Sequence, residues 1–136
     1  MIECKNIGGR MDINVLANQL GKLAKVKKVS DSEFEIDTGA RINAHNPITI
    51  YLTEKNGALY FSDHKMTLKY MSQIYELKSI DVKNCIAAVI KHYGFNVISG
   101  ELFSQIKSDA SLIETYYNII MCIGQLAHMY VFFDNP

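Results

Sequence analysis

The chain has 136 residues, of which 49% are hydrophobic and 21% are charged. This length fits a single domain over residues 1–136, and the composition supplies enough apolar surface for a core, which excludes wholesale disorder. Its 14 basic residues balance 14 acidic residues, so net charge alone does not draw the protein to DNA, RNA or anionic lipid.

The first predicted element is a helix from Met11 to Ala24. Its apolar residues recur at intervals of three and four: Ile13, Leu16, Ala17, Leu20 and Leu23. Asp12 is placed to cap the first turn. Four lysines follow: Lys22, Lys25, Lys27 and Lys28. They are interpreted as a solvated helix end favoured by the helix dipole, with a phosphate-binding or acidic-partner patch as the alternative.

Two strands are predicted next, from Val26 to Val29 and from Glu33 to Asp37. The second alternates apolar and acidic residues, which is typical of a half-buried strand in a hairpin. The polar stretch from Thr38 to Asn46 contains Gly39 and is predicted to be a mobile loop.

The strongest local pattern is a β-hairpin over about residues 47–63. Asn56-Gly57 suits a type I′ turn, in which both central residues need positive φ. If Lys55 pairs with Ala58, then Leu52 lies opposite Phe61 and Thr53 opposite Tyr60. This register brings the apolar residues of both strands to one face.

Tyr51 and Tyr60 lie on the other face of this hairpin. Exposed tyrosines on a sheet can stack on bases or anchor a protein partner. If the C-terminal helix packs on that face, both tyrosines belong to the core instead. The sequence leaves the two alternatives open.

Two helices are predicted after the hairpin. Asp63 caps the first, whose apolar residues are Leu68, Met71, Ile74 and Tyr75. Asp81 caps the second, and Gly94 ends it in a left-handed conformation. The predicted inner face of the second helix consists of Val82, Cys85, Ile86, Val89 and Tyr93.

The segments from Phe95 to Ile98 and from Glu101 to Ile106 are predicted to form an edge hairpin. The segment from Asp109 to Phe132 is predicted to form a long hydrophobic helix. This helix has one narrow, mainly polar stripe: Ser111, Glu114, Asn118, Cys122, Gln125 and Met129. Such a helix must be covered on nearly all sides, either by the rest of the chain or by a second copy in a homodimer. Its polar residues argue against a membrane span, so no membrane association is predicted.

The remaining chemistry is sparse. Cys4, Cys85 and Cys122 are odd in number and widely spaced, which indicates reduced thiols and a cytoplasmic protein. Cys85 is predicted to pack in the core. The four histidines lack zinc-ligand spacing, and no phosphate loop or nucleophile elbow is present in the sequence. We therefore expect no metal and no cofactor.

Asp63-His64 is the one constellation that could support catalysis. It lies between a strand and a helix, where a carboxylate can accept backbone N–H groups and orient a neighbouring imidazole. The competing interpretation is an ordinary helix cap beside a solvated histidine.

The segment from Asn46 to Leu68 resembles a family called domain of unknown function 1828, small proteins that recur in prophages and bacterial genomes. The similarity lies in Asn46-Pro47-Ile48-Thr49-Ile50-Tyr51-Leu52, in Asn56-Gly57, and in Leu59-Tyr60-Phe61-Ser62-Asp63-His64-Lys65-Met66-Thr67-Leu68. The family pattern has Thr where this chain has Ser62 and Gly where it has Lys65. Gly94-Phe95-Asn96-Val97 and Glu101-Leu102 are also similar. The resemblance implies a mobile-element or phage setting and no established activity.

The sequence thus predicts an α+β domain, with an antiparallel sheet built around the central hairpin and packed against helices. We expect a non-catalytic interaction protein that binds a host protein or nucleoprotein complex, with inhibition of a host defence system as one outcome. The alternative is a small enzyme acting on nucleic acid or nucleotide, with Asp63 and His64 at its centre and Lys25, Lys27 and Lys28 holding phosphate. Direct nucleic-acid binding is left open.

Overall fold

A computed structural model describes residues 11–73 and 79–128. The helices are α1 (Ile13–Leu20), α2 (Met66–Ser72), α3 (Ile80–Tyr93) and α4 (Leu112–Ala127). The strands are β1 (Lys25–Ser30), β2 (Glu33–Asn43), β3 (Asn46–Lys55), β4 (Ala58–Ser62), β5 (Asn96–Ile98) and β6 (Glu101–Ile106). A short 3₁₀ turn, Asp109–Ser111, precedes α4. The predicted α+β class and the long C-terminal helix are confirmed.

The six strands form one antiparallel sheet in the order β1-β2-β3-β4-β6-β5. In the central hairpin Lys55 pairs with Ala58, and Leu52 pairs with Phe61, as the turn chemistry predicted. Asn56 and Gly57 both have positive φ, at 53° and 79°. The predicted edge hairpin is also confirmed, with β5 at the sheet edge.

All four helices place buried side chains in one core, on one face of the sheet. Leu16 of α1, Met71 of α2, Val82 of α3 and Ile119 of α4 belong to a single cluster with the inward residues of the strands. Phe61 contacts Tyr116 of α4, with ring centroids 6.0 Å apart. The C-terminal helix therefore packs on the face opposite to Tyr51 and Tyr60.

The predicted loop from Thr38 to Asn46 is wrong, because β2 continues to Asn43 and pairs with β3. The ladder is irregular between the Asp37–Thr49 pair and the Arg41–Pro47 pair, where β2 contributes two more residues than β3. Gly39 provides the positive φ of 78°, and the Thr38 hydroxyl donates to the Ile48 carbonyl at 2.7 Å. The glycine and the polar residues mark a bulge within a strand.

The helix termini correct two further predictions. Asp12 caps α1 by accepting from the Asn14 N–H at 2.8 Å, but α1 ends at Leu20 and has no basic residue in its last turn. The interpretation of the lysines as a dipole-favoured helix end is therefore wrong, and Lys25, Lys27 and Lys28 belong to β1. In α3, Gly94 ends the helix with φ of 73°, as predicted, but Ser79 is the N-cap and Asp81 lies within the first turn, so the predicted Asp81 cap is wrong. Cys85 is exposed, so its predicted place in the core is wrong.

Cys85 is exposed because α3 lies at the periphery and Val82 is its one buried residue among those described. Cys122 of α4 was predicted to lie in a polar stripe, but it is fully buried in the core. Ile74, Tyr75 and Met129 lie outside the described residues, as does Cys4. Within the described ranges, no helix is both long and apolar enough to cross a bilayer.

Candidate functional site

The face of the sheet opposite the helices, called here the outer face, carries most of the predicted site residues. The strand register lines up one row of side chains across all six strands: Lys27, Glu35, Tyr51, Ser62, Phe103 and Asn96. A second row contains Glu33, Thr53, Tyr60 and Gln105. Side chains alternate along each strand, so these rows point away from the core.

The rows contain three half-buried aromatic residues, Tyr51, Tyr60 and Phe103. Tyr60 meets Phe103 edge to face, with ring centroids 5.9 Å apart. The Lys55 ammonium lies 5.4 Å from the centroid of the Phe103 ring. Tyr51 and Tyr60 are thus part of a partly exposed aromatic platform and not of the core.

His64 is fixed above this platform by two contacts. Its ring lies flat on the ring of Tyr51, with centroids 3.5 Å apart and planes 3° from parallel. Its Nε2 is 2.7 Å from Glu33 Oε2, which also accepts from the Thr53 hydroxyl at 3.1 Å. The His64 side chain remains 38% exposed and that of Glu33 21%. The result is a carboxylate–imidazole pair open to solvent.

A second carboxylate, Glu101, lies near the same junction. The Ser62 hydroxyl donates to Glu101 Oε2 and accepts from the His64 backbone N–H at 3.1 Å. Ser62 is 1% exposed, so its hydroxyl serves this network and is not presented to solvent.

Glu33, Thr53, Lys55, His64, Lys65 and Glu101 together line a cleft of about 320 Å³. We call this the outer cleft. It combines two carboxylates, two ammonium groups and an imidazole, so its charges nearly cancel. In the part of the chain that the structure describes, no three His, Cys, Asp or Glu side chains are grouped so as to hold a metal ion.

Asp63 points away from the outer cleft. It is 1% exposed and its carboxylate accepts backbone N–H groups of Lys65 at 2.9 Å, Thr67 at 3.0 Å and Leu102 at 2.9 Å. It therefore caps α2 and also ties β4 to β6. The structure separates the roles of the two neighbours, with Asp63 buried in the backbone network and His64 at the outer cleft.

The backbone at this junction takes an uncommon path. His64 and Lys65 both have left-handed conformations, with φ of 51° and 69°. Residues other than glycine are disfavoured in this region, because their Cβ atom clashes with the backbone. Lys65 therefore has a backbone conformation that glycine adopts most easily.

The three predicted phosphate-binding lysines lie on the edge strand β1. Lys25 and Lys27 are on the outer face, in register with Asp37 and Glu35, and Lys28 forms an ion pair with Asp31 at 3.2 Å. None of the three lines the outer cleft. Lysines on an edge strand discourage pairing with another sheet.

Sequence reasoning missed Glu33, Ser62 and Glu101. The sequence pattern placed Glu33 on the outward face of a strand and Thr53 opposite Tyr60, but it gave neither residue a role in the site. No local signal brings Glu33 to His64, because 31 residues separate them along the chain, or Glu101 to Ser62, across 39 residues.

No protein-family model, curated protein or solved structure matches this chain. The resemblance to domain of unknown function 1828 therefore stays a prediction that rests on the residues quoted above.

Proposed function

We propose that this protein is a non-catalytic interaction protein that binds a host protein or nucleoprotein complex through the outer face of its sheet. In this proposal it is encoded by a phage or another mobile element and inhibits a host defence system. The phage and defence setting depends on the family resemblance alone. The binding role depends on the geometry of the sheet.

The observation that carries the proposal is the position of the three aromatic residues. All four described helices pack their buried residues on the other side, yet Tyr51, Tyr60 and Phe103 are half-buried on the outer face, where Tyr60 meets Phe103 edge to face. Aromatic residues supply large contact areas at little cost in conformational entropy, and they are enriched at the centres of protein interfaces. The surrounding mixture of Lys and Glu suits a polar rim.

The hydrogen bonding at the junction of β4 and α2, beside the outer cleft, favours binding over turnover. The Ser62 hydroxyl is buried and hydrogen bonded, and Asp63 is occupied by three backbone donors. Glu33 is shared between His64 and Thr53. Side chains that are hydrogen bonded in this way hold the surface in place, whereas a nucleophile must be accessible to its substrate.

Capture from a bacterial lysate tests this proposal with matched surface variants. Tyr60→Arg places a charge in the aromatic group, and Val15→Arg places the same charge on α1, where Val15 is 47% exposed. We expect the wild type and Val15→Arg to enrich the same host protein, and Tyr60→Arg to reduce its recovery at least tenfold. Equal recovery with Tyr60→Arg, or no enrichment by the wild type, would contradict the proposal.

The second candidate remains a small enzyme acting on nucleic acid or nucleotide, and the 2.7 Å contact between His64 and Glu33 favours it. An imidazole paired with a carboxylate can serve as a general base. In this alternative the purified protein turns over DNA, RNA or nucleotides, and His64→Gln loses at least a hundredfold in rate while keeping its fold. Undetectable turnover by the wild type would eliminate this candidate.

A further inference from the structure

A polar cavity of about 400 Å³ lies on the side of the sheet where α4 packs, at the β5 edge. We call it the edge cavity. Its lining comes from the end of α3, the start of β5, the later part of β6 and the first turns of α4. It shares no lining residue with the outer cleft. Binding in the edge cavity therefore does not depend on the outer cleft.

The edge cavity exists because β5 is shorter than its partner. The pairing of β5 with β6 ends at Asn96 and Phe103, whereas β6 continues to Ile106. Gly94, with φ of 73°, turns the chain out of α3 before it joins the sheet. The β6 edge next to Ser104 and Gln105 consequently has no described strand beside it, and its backbone polar groups border the cavity.

Ser104 is the decisive residue of this cavity. It lines the cavity, it is only 2% exposed, and its hydroxyl makes no hydrogen bond with any residue in the described ranges. Its neighbours on the same face of β6 are the apolar core residues Leu102 and Ile106. Buried hydroxyl groups without a partner are uncommon because they lose their hydration. A serine here is accounted for if a bound molecule supplies the missing hydrogen bond.

The N-terminal half of the polar stripe of α4 faces the same cavity. Ser111, Glu114 and Asn118 line it, and Gln125 accepts a hydrogen bond from the Tyr93 hydroxyl at 3.1 Å. This bond anchors Tyr93, whose ring is stacked with that of Phe95, with centroids 5.9 Å apart and planes 22° from parallel. The edge cavity thus accounts for the polar residues Ser111, Glu114 and Asn118 on an otherwise apolar helix.

The lining indicates the chemistry of the ligand. One acidic and one basic side chain, Glu114 and Lys107, balance each other, so an uncharged ligand is favoured. Aromatic walls accept flat rings. Primary amides match the paired donor and acceptor groups at the edge of a nucleobase, and hydroxyl and carboxylate groups match a sugar. On the α4 side of the sheet the lining offers these groups: Tyr93, Phe95, Asn118, Ser104, Thr115 and Glu114.

We infer that the edge cavity binds a nucleoside, with the Ser104 hydroxyl and the Asn118 amide as hydrogen-bonding groups. The volume lies within the range of roughly 300–1,000 Å³ that is typical of small-molecule sites. Binding here needs no contact with the outer face, so it can coexist with a protein partner.

Calorimetric titration of the full chain with adenosine, guanosine, cytidine and uridine tests the inference, and ribose alone tests a sugar site. We expect saturable binding of at least one nucleoside and none of ribose. Ser104→Ala should weaken that binding about tenfold, the loss of one hydrogen bond in a buried site. Its Tm without ligand should be equal to or above that of the wild type, because an unpartnered hydroxyl has been removed.

Asn118→Ala should weaken binding similarly, and Asn84→Ala, an exposed asparagine on α3 outside the cavity, should leave it unchanged. Tyr60→Arg should also bind the nucleoside normally, which separates this site from the outer face. The inference is overturned if no nucleoside binds, or if ribose binds as tightly. It is also overturned if Ser104→Ala lowers the Tm, or if both cavity variants bind like the wild type.

Discussion

The imidazole of His64 lies parallel to the phenol ring of Tyr51, with the two centroids 3.5 Å apart. The hairpin register explains this contact, because Tyr51 pairs with Ser62 and His64 follows two residues later. The left-handed conformations of His64 and Lys65 fold the chain back over β3. A strained junction is thereby fixed to the sheet by a ring stack, by the Glu33 carboxylate and by the buried Asp63.

The phenol of Tyr51 should ionise at a higher pH than an exposed tyrosine. Burial raises its pKa above 10.0, and the nearby charges of Glu35 and Glu33 raise it further. Because the pKa is higher in the folded chain than in the unfolded chain, its contribution to stability is present below pH 10 and is lost as the pH rises through the raised value. Ultraviolet titration should show a late step that Tyr51→Phe removes and that Glu35→Gln moves to lower pH. If the step that is missing from the Tyr51→Phe titration is an early step of the wild-type curve, this assignment is contradicted.

Asp63→Asn should destabilise the protein by about 2 kcal/mol, because the amide nitrogen cannot accept from one of the three backbone N–H groups that the carboxylate now satisfies. Asp63→Ala should cost more, since it leaves all three donors unsatisfied. Urea unfolding followed by circular dichroism measures both changes. Asp12→Asn is the matched control, because Asn caps an exposed helix about as well as Asp, and its free energy of unfolding should change by less than about 0.5 kcal/mol. Equal effects at the two positions would show that Asp63 is only a surface cap.

Lys65→Gly should stabilise the protein by about 1 kcal/mol, because glycine adopts the left-handed conformation at φ of 69° without a Cβ penalty. The control is Lys69→Gly in α2, where the backbone is helical and the same change should destabilise by about 1 kcal/mol. Thermal and urea unfolding of the two variants should therefore shift in opposite directions. Destabilisation by Lys65→Gly would show that the lysine side chain contributes more than its backbone conformation costs.

The two described cysteines should differ sharply in reactivity. Cys85 is exposed, whereas Cys122 is 0% exposed and burial, followed by the charge of Asp63, raises its pKa from 9.0 to about 12. In a Cys4→Ser background, a thiol reagent at pH 8 should label one cysteine in the native protein and two in denaturant. Cys85→Ser should remove the native labelling. Rapid labelling of Cys122 in the native protein would place α4 outside the core.

The raised pKa of Cys122 also predicts a loss of stability in alkali. The unfolded chain releases the thiol proton near pH 9, while the folded chain holds it to about pH 12, so this contribution to stability is present below pH 9 and is lost between these values. Cys122→Ala should show a smaller decline in the free energy of unfolding than the wild type above pH 9. A parallel decline in both proteins would contradict the raised value.

Homodimerisation through α4 stays a prediction with a defined surface. Ile113, Tyr117 and Met121 are 39%, 48% and 57% exposed and lie four residues apart, along one side of the helix. Light scattering over a dilution series should show a dimer for the wild type and a monomer for Met121→Glu. The variant Lys83→Glu, on the exposed side of α3, should dimerise like the wild type. A wild-type monomer at all concentrations would refute this prediction.

Several elements were predictable because their causes are local. The Asn56-Gly57 turn determined the register of β3 and β4, Asp12 and Asp63 determined the starts of two helices, and Gly94 determined the end of α3. In each case the interacting atoms are only a few residues apart, so the sequence alone contains the necessary geometry.

The tertiary structure decided which face of the sheet the helices cover. Periodicity shows that a strand has two faces, but it does not say on which one α4 packs. That choice left Tyr51 and Tyr60 outside, buried Cys122, and left Cys85 exposed. It also paired Glu33 with His64 and left the Ser104 hydroxyl facing a cavity. These contacts join residues distant along the chain, and they form only when the packing of the whole core has selected one arrangement of the sheet and helices.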